Sequence, residues 1–305
     1  REYPANYIFY YDDPRGKFQS IYGTPVNRFS SRNNKEFRKE VRSQSGKQLY
    51  ESDIYPIFRC LEENYKDQDA PELHTAFFDI EVAFDQERGF SPVADPFNPI
   101  TAISIYLDWL DQMITLAVPP KHLSWDTAQE LVSEFENTIL FEREEDMIKM
   151  FLDVIEGADV LTGWNSEGYD IPYTVNRTTR ILSKDDTRRF CLWGQFPKQR
   201  MFERFGAENQ TYDLVGRVHM DYMQLYRKYT YEERHSYSLD AIGEYELGER
   251  KTQFEGTLDQ LYNQHFKKFI ELEGSIDLLE RRIHQRNFKE FMSERVGDGL
   301  PPGVN

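Results

Sequence analysis

The segment that most constrains this chain is Thr75-Ala76-Phe77-Phe78-Asp79-Ile80-Glu81-Val82. It is an apolar run of strand length, rich in Phe and Ile, and a run of this kind belongs in a core. Two carboxylates interrupt it. Residues two apart on a strand project from the same face, so Asp79 and Glu81 stand together. Carboxylates placed this way repel each other unless something cationic lies between them, and a divalent metal ion is the usual answer. The alternative is a solvated face or a strand end, and the pair by itself leaves both readings open.

Around this strand the patterning alternates. Ile100 to Leu107 and Met113 to Val118 read as strands joined by the five-residue loop Asp108-Trp109-Leu110-Asp111-Gln112. Helical stretches follow near Thr127–Phe135 and Glu144–Glu156. In the second, Ile148, Phe151, Leu152 and Ile155 share one face. Asp159 to Trp164 is a strand leading into a loop and a helix. Strands alternating with helices imply an α/β domain with a mixed sheet. Further on, Met201 to Val218 reads as an extended, turn-rich insertion, and Asp221–Tyr229, Leu239–Tyr245 (capped by Ser238), Leu258–Ile270 and Ile276–Phe291 as helices. Before the core strand, Tyr7–Tyr11 and Phe18–Tyr22 read as short strands and Asn34–Val41 as a helix. The polar stretch Asp67 to Pro71 marks a boundary. The expected division is a small α+β amino-terminal domain over 1–70, an α/β (α+β) domain over 71–292 and a flexible tail over 293–305.

Two further segments bear on chemistry. In Gly163-Trp164-Asn165-Ser166-Glu167-Gly168-Tyr169-Asp170-Ile171-Pro172-Tyr173 a strand ends, a tight polar turn follows and a helix begins. Asp170 falls in the first helical turn, where the helix dipole alone would favour a carboxylate. Asn165 can donate to a ligand or cap the helix. Late in the chain Asp277 sits in Ser275-Ile276-Asp277-Leu278-Leu279, and by itself reads as a first-turn helix residue.

Composition narrows the classes. With 305 residues and 39% hydrophobic residues there is chain enough for a sizeable core. Two cysteines far apart, Cys60 and Cys191, argue for buried thiols rather than a zinc site or a disulfide. There is no apolar run of membrane-spanning length and no signal peptide, and the start at Arg1 places the expected natural start upstream. A net charge of −16 speaks against a broad basic grip on nucleic acid, but not against an acidic metal site that admits one strand end. Phosphate loops, dinucleotide fingerprints, nucleophile elbows and H-E-x-x-H motifs are absent from the sequence.

The order D-x-E (Asp79, Glu81), N-x-x-x-Y-D (Asn165, Tyr169, Asp170) and a late helical Asp (Asp277) resembles the proofreading exonuclease of family B DNA polymerases, above all those of tailed bacteriophages. Asn98 to Ser104, Leu161 to Asn165, His219 to Tyr226, Ser236 to Asp240 and Phe18 to Val26 match that family too, and the resemblance runs from about Tyr7 to Glu271. It implies a ribonuclease H-like exonuclease domain acting in the cytoplasm of an infected bacterial host. Asp79, Glu81, Asp170 and Asp277 would be the catalytic, metal-binding residues, holding two Mg2+ or Mn2+ ions roughly 4 Å apart. The substrate would be a single-stranded or frayed primer 3′ end, contacted by Asn165, Tyr169 and Phe90, with bases stacked on aromatics; an ordinary loop aromatic is the other reading of Phe90. The Met201–Val218 insertion would match the hairpin that parts primer from template.

The third motif departs from the family. A Tyr is expected four residues before the last metal-binding Asp. Here Glu273 precedes Asp277 by four, and an ungapped count puts Leu272 at the Tyr position and Ile276 at the Asp position. The polymerase motifs Ser-Leu-Tyr-Pro-Ser and Tyr-Gly-Asp-Thr-Asp-Ser are missing, so this chain alone is not expected to synthesise DNA, and a separate or missing polymerase half is the expected partner. The rival reading is a catalytically impaired nucleic-acid-binding or docking module. Its amino-terminal basic run, Arg28, Arg32, Lys35, Arg38, Lys39 and Arg42, would bind RNA or template, or would simply be a solvated helix face.

Overall fold

Alternation of apolar and polar residues decides which side of each strand meets a helix, and so where the carboxylates end up. The computed structural model describes residues 6–69, 71–204, 206–230, 232–250, 254–273 and 282–283. The chain divides into two units, Arg1–Glu72 and Leu73–Asn305.

In the first unit β1 (Tyr7–Asp12), β2 (Phe18–Gln19), β3 (Pro25–Ser31) and β4 (Leu49–Tyr50) form an antiparallel sheet in the order β2-β3-β1-β4. Helix α1 (Asn34–Ser43) is capped by the Asn33 side chain, which accepts from the Lys35 N–H at 2.9 Å. It buries Phe37 edge-on against Phe9. Lys35, Arg38, Lys39 and Arg42 stay exposed, as on a solvated helix face. The strand expected over Phe18–Tyr22 stops at Gln19. The Ser20 hydroxyl accepts from the N–H groups of Tyr22 and Thr24, and Gly23 takes a φ of +78°, so the chain turns instead. Helix α2 (Pro56–Tyr65), with Pro in its first turn, was not evident in the sequence.

The second unit is built on a six-stranded mixed sheet in the order β12-β9-β5-β6-β7-β8. Its strands are β5 (Thr75–Val82), β6 (Ile100–Leu107), β7 (Gln112–Ala117), β8 (Thr138–Leu140), β9 (Val160–Gly163) and, after the β10–β11 hairpin (Lys198–Arg204 and Ala207–Asp213), β12 (Val218–Asp221). β5 runs parallel to β9 and antiparallel to β6. One face carries α4 (Glu144–Val154) and α5 (Asp170–Ile181) over Ala76, Phe78, Ile80, Ile103 and Ile105. Ile148, Phe151, Leu152 and Ile155 are fully buried there, as their spacing predicts, and each such side chain contributes roughly 1.5–3 kcal/mol. The other face carries α3 (Trp125–Val132), α8 (Leu258–Gln264) and α9 (266–273) over Ala102 and Ala117. This is the mixed sheet between helices that the alternation implies. Helices α6 (Tyr222–Tyr229) and α7 (Leu239–Leu247), the latter capped by Ser238, pack around Trp164.

Three local expectations change. The β6–β7 connection holds a 3-10 turn, Asp108–Leu110, and Asp111 in the left-handed region. The helix over Leu258–Ile270 is interrupted at His265. The Met201–Val218 insertion is a regular hairpin followed by β12, which returns to the sheet beside β9. The helix expected over Ile276–Phe291 lies outside the described residues except at 282–283. No helix among the described residues is long and apolar enough to cross a membrane.

Candidate active site

On β5 the even positions Ala76, Phe78, Ile80 and Val82 enter the core under α4 and α5, which turns Asp79 and Glu81 to the opposite face, half-buried. Across the antiparallel ladder Asp79 pairs with Ser104 and Glu81 with Ala102. The register shifts just there, at a bulge between Glu81 and Val82, where the Thr101 hydroxyl donates to the Glu81 carbonyl at 3.1 Å before pairing resumes at Val82 and Ile100. The Ser104 hydroxyl is fully buried on the Asp79 side and has no hydrogen-bond partner among the described residues.

Asp170 arrives from β9. A Cβ on Gly163 would lie 2.6 Å from the Phe78 carbonyl oxygen, so only glycine allows β9 to close on β5 there. The chain then turns through Asn165, at φ +67°. The Ser166 hydroxyl donates to the Gly163 carbonyl, and the Ile171 N–H donates to the Ser166 carbonyl. Helix α5 starts at Asp170, with Tyr169 as its N-cap residue and no side-chain cap, so Asn165 is not the helix cap.

Asp170 is 4% exposed, and one of its oxygens accepts from the Ile80 N–H at 3.3 Å. Its carboxyl is held well above the usual carboxylate range. Burial is the largest cause, the Asp79 charge the next, and the Glu81 charge adds to them, while the Ile80 N–H acts in the other direction. Asp79, Glu81 and Asp170 therefore lie within one electrostatic field. The Tyr169 phenol is pushed up by burial first, then by Tyr173, Asp170 and Glu81, and its ring stacks on Tyr173 at 5.2 Å.

The donor set suits a hard dication. It offers only oxygens, and burial together with two neighbouring anions penalises ionised Asp170 in a way a divalent ion would reverse. Ser104 adds a buried hydroxyl on the same face. Among the described residues no three acidic, His or Cys side chains stand in a ready-made chelate, so the fit is one of charge and donor chemistry.

Residues 26–242 match the model of the exonuclease domain of DNA polymerase family B. The chain belongs to this family. It is 26% identical over 279 residues to the DNA-directed DNA polymerase of Escherichia phage RB69, which covers 83% of this chain and 30% of the relative. It is 28% identical over 132 residues to the corresponding enzyme of Enterobacteria phage T4, covering 43% and 15%. To the DNA polymerase delta catalytic subunit of Bos taurus it is 27% identical over 191 residues, covering 59% and 16%. The chain thus spans about a third or less of the length of these relatives. The mixed sheet between helices is the ribonuclease H-like fold of a family B exonuclease domain.

Within this exonuclease domain the other expected site residues fall as follows. Phe90 is 72% exposed on the turn after Asp85 and meets Phe84 edge-on at 4.8 Å. Asp277 lies outside the described residues. Leu272 is packed in the α8–α9 cluster, on the sheet face that carries Asp79 and Glu81, and Glu273, the next residue, is buried. Sequence reasoning missed Asp221, whose buried carboxylate accepts from the N–H groups of Asn165, Glu167 and Gln224, each at 3.2 Å. Its only signal was its place in the family-like segment His219 to Tyr226.

A cleft of about 370 Å³ opens behind the Asn165–Gly168 turn, lined by Glu167, Arg200, His219, Asp221, Gln224 and Lys228. None of Asp79, Glu81 or Asp170 lines it. The His219 ring bonds the Ser166 hydroxyl at 2.9 Å and is pushed down to about 4, chiefly by burial. Glu167 and Asp213 act upward and Arg200 downward. The folded ring stays neutral while an unfolded one, at the ordinary 6.5, gains a proton as the pH falls. Its contribution to stability is complete above 6.5 and is lost as the pH falls towards 4, by about 2 kcal/mol after allowance for partial exposure. Urea unfolding between pH 7 and 4 should therefore show a shallower loss in His219→Asn than in the wild type; equal slopes would assign the loss to other groups.

Proposed function

We propose that this chain is a 3′→5′ proofreading exonuclease module of a viral replicative DNA polymerase, which removes 3′-terminal deoxynucleotides by metal-assisted phosphodiester hydrolysis. The observation that carries the reading is the placement of buried Asp170, which accepts from the Ile80 N–H between Asp79 and Glu81 on β5. These three would hold two Mg2+ or Mn2+ ions, with Asp277 as a fourth ligand. Such ions lower the pKa of a bound water and stabilise charge on the departing oxygen. The chain's own residues do the rest. The bulge shifts the ladder register right beside Glu81, Phe84 and exposed Phe90 offer faces on which single-stranded bases stack, and Tyr169, held against Tyr173, walls the site on the α5 side. DNA with a single-stranded or frayed 3′ end is the substrate, the polymerase half is the partner, and the infected bacterial cytoplasm is the place of action.

The test is digestion of 5′-labelled single-stranded DNA with Mg2+ or Mn2+. A ladder shortening from the 3′ end, reduced at least ~100-fold in Asp79→Ala with unchanged folding, is the expected result. Cleavage that survives Asp79→Ala at wild-type rate would sink the assignment. A second reading rests on α9, where neither Leu272, packed in the core, nor Glu273 supplies the phenol of the family's third motif. A folded protein that binds single-stranded DNA without shortening it would favour that impaired docking module.

A further inference from the structure

Asp221 ends β12 directly beside Gly163 in the parallel ladder, so the strand that precedes α6 and the strand that precedes the Asn165–Gly168 turn give out at the same level. As the N-cap of α6 its carboxylate needs one backbone donor, the Gln224 N–H. It takes two more, both from the distant turn. The oxygen that caps α6 also accepts from Asn165, and the other accepts from Glu167. Ser166 anchors the middle of the turn through the Gly163 carbonyl and the His219 ring, while Asp221 receives the N–H groups on either side of it. Asn165 sits in the left-handed region, and α5 begins without a side-chain cap. Trp164 reinforces the link, its ring packing on Tyr222 and Tyr226 while its N–H donates to the Tyr237 carbonyl at 2.9 Å. From the far side the Glu167 side chain pairs with Arg200 of β10 at 2.5 Å.

We infer that Asp221 is a positioning residue of the exonuclease site, one that fixes the Asn165–Gly168 turn and so sets where Asp170 begins α5 beside Asp79 and Glu81. The inference rests on the exonuclease reading for its kinetic consequence and on geometry alone for its structural one. Asp221 never touches substrate in this role. A carboxylate is required because two acceptor oxygens must serve three N–H groups that point to two different elements. Serine would keep the α6 cap and lose the turn, and Asn would keep one oxygen and turn a donor towards the Glu167 N–H.

The experiment compares the full chain with Asp221→Ser and Asp221→Asn by hydrogen exchange and by single-turnover cleavage of single-stranded DNA in Mn2+. Expected is faster exchange, by ~100-fold, confined to the peptide that covers 164–170, with α6 and the central strands still protected. Cleavage should fall ~100-fold in the chemical step, with half-saturating DNA concentration changed less than ~3-fold, because a displacement of about 1 Å is enough. Asn should be milder than Ser in both readouts. Unchanged exchange in the turn, or exchange raised equally throughout the unit in both variants, would overturn the inference. If the wild type itself fails to cleave, the exonuclease reading falls and the exchange arm still decides whether Asp221 holds the turn.

Discussion

Asp170→Asn is expected to lower exonuclease activity by ~10³-fold or more while leaving the chelator-treated protein as stable as the wild type, or more stable by about 1 kcal/mol. The two effects have one cause. Asp170 is buried, with Asp79 and Glu81 nearby, and every one of these circumstances opposes a negative charge. The amide keeps the oxygen that accepts from the Ile80 N–H and has nearly the same shape, so packing is retained and a like charge is removed. On the proposed reading, what would be lost is the third anionic oxygen donor of a dication site, a loss of roughly 4 kcal/mol of transition-state stabilisation for ~10³ in rate. Single-turnover cleavage in Mn2+ and urea unfolding in EDTA check the two halves separately. A variant that loses more than ~2 kcal/mol in EDTA would make Asp170 a structural helix-start residue. A variant that cleaves normally would place the metal elsewhere.

The candidate site was legible where local chemistry contradicts local structure. Asp79 and Glu81 stood out because an apolar strand has no use for two carboxylates on one face, and the fold puts them where period-two alternation requires. Asp170 was ambiguous from sequence because a helix start explains it equally well. Burial and its two acidic neighbours, which only tertiary structure supplies, set it apart. The core of α4 was readable from its i, i+3, i+4, i+7 spacing, since those positions meet a flat sheet. β3 was missed because Pro25–Ser31 opens on Pro, is largely polar and owes its strand state to pairing with β1 rather than to its own propensity. Asp221 and Ser104 lay in family-like segments, but their roles were hidden for a related reason. Nothing near them in sequence shows that one gathers three N–H groups from two elements, or that the other faces Asp79 across a ladder.

The connector between β5 and β6, residues 83–99, follows the same logic and leads to the largest expected loss of stability. No strand or helix pattern marks it in the sequence, yet one face of α5 holds its second half, 91–98. The Tyr173 hydroxyl donates to the Asn98 carbonyl, Asn176 donates to the Val93 carbonyl, and Arg180 pairs with Asp95. Arg177 is the centre of this row. Its guanidinium donates twice to Glu144, at 2.8 and 2.6 Å, and to the carbonyls of Pro96 and Phe97, while Glu144 also accepts from the Ile100 N–H where β6 begins. Both side chains are about nine-tenths buried. Arg177→Ala would strand a buried carboxylate and two carbonyls, so it should cost about 3–5 kcal/mol, or on the order of 10 °C in Tm. Glu144→Gln should cost less, since it keeps an acceptor for Ile100. The pair Arg177→Met with Glu144→Leu should recover much of the loss, because removing both charges also removes the need to desolvate them. Urea unfolding of Arg177→Met, Glu144→Leu, the double variant and the wild type closes a cycle and gives the coupling directly. Losses that simply add would mean that the two side chains act independently. A non-additive result, together with weakened binding of single-stranded DNA in Arg177→Ala, would tie the connector that presents Phe90 to this single buried pair.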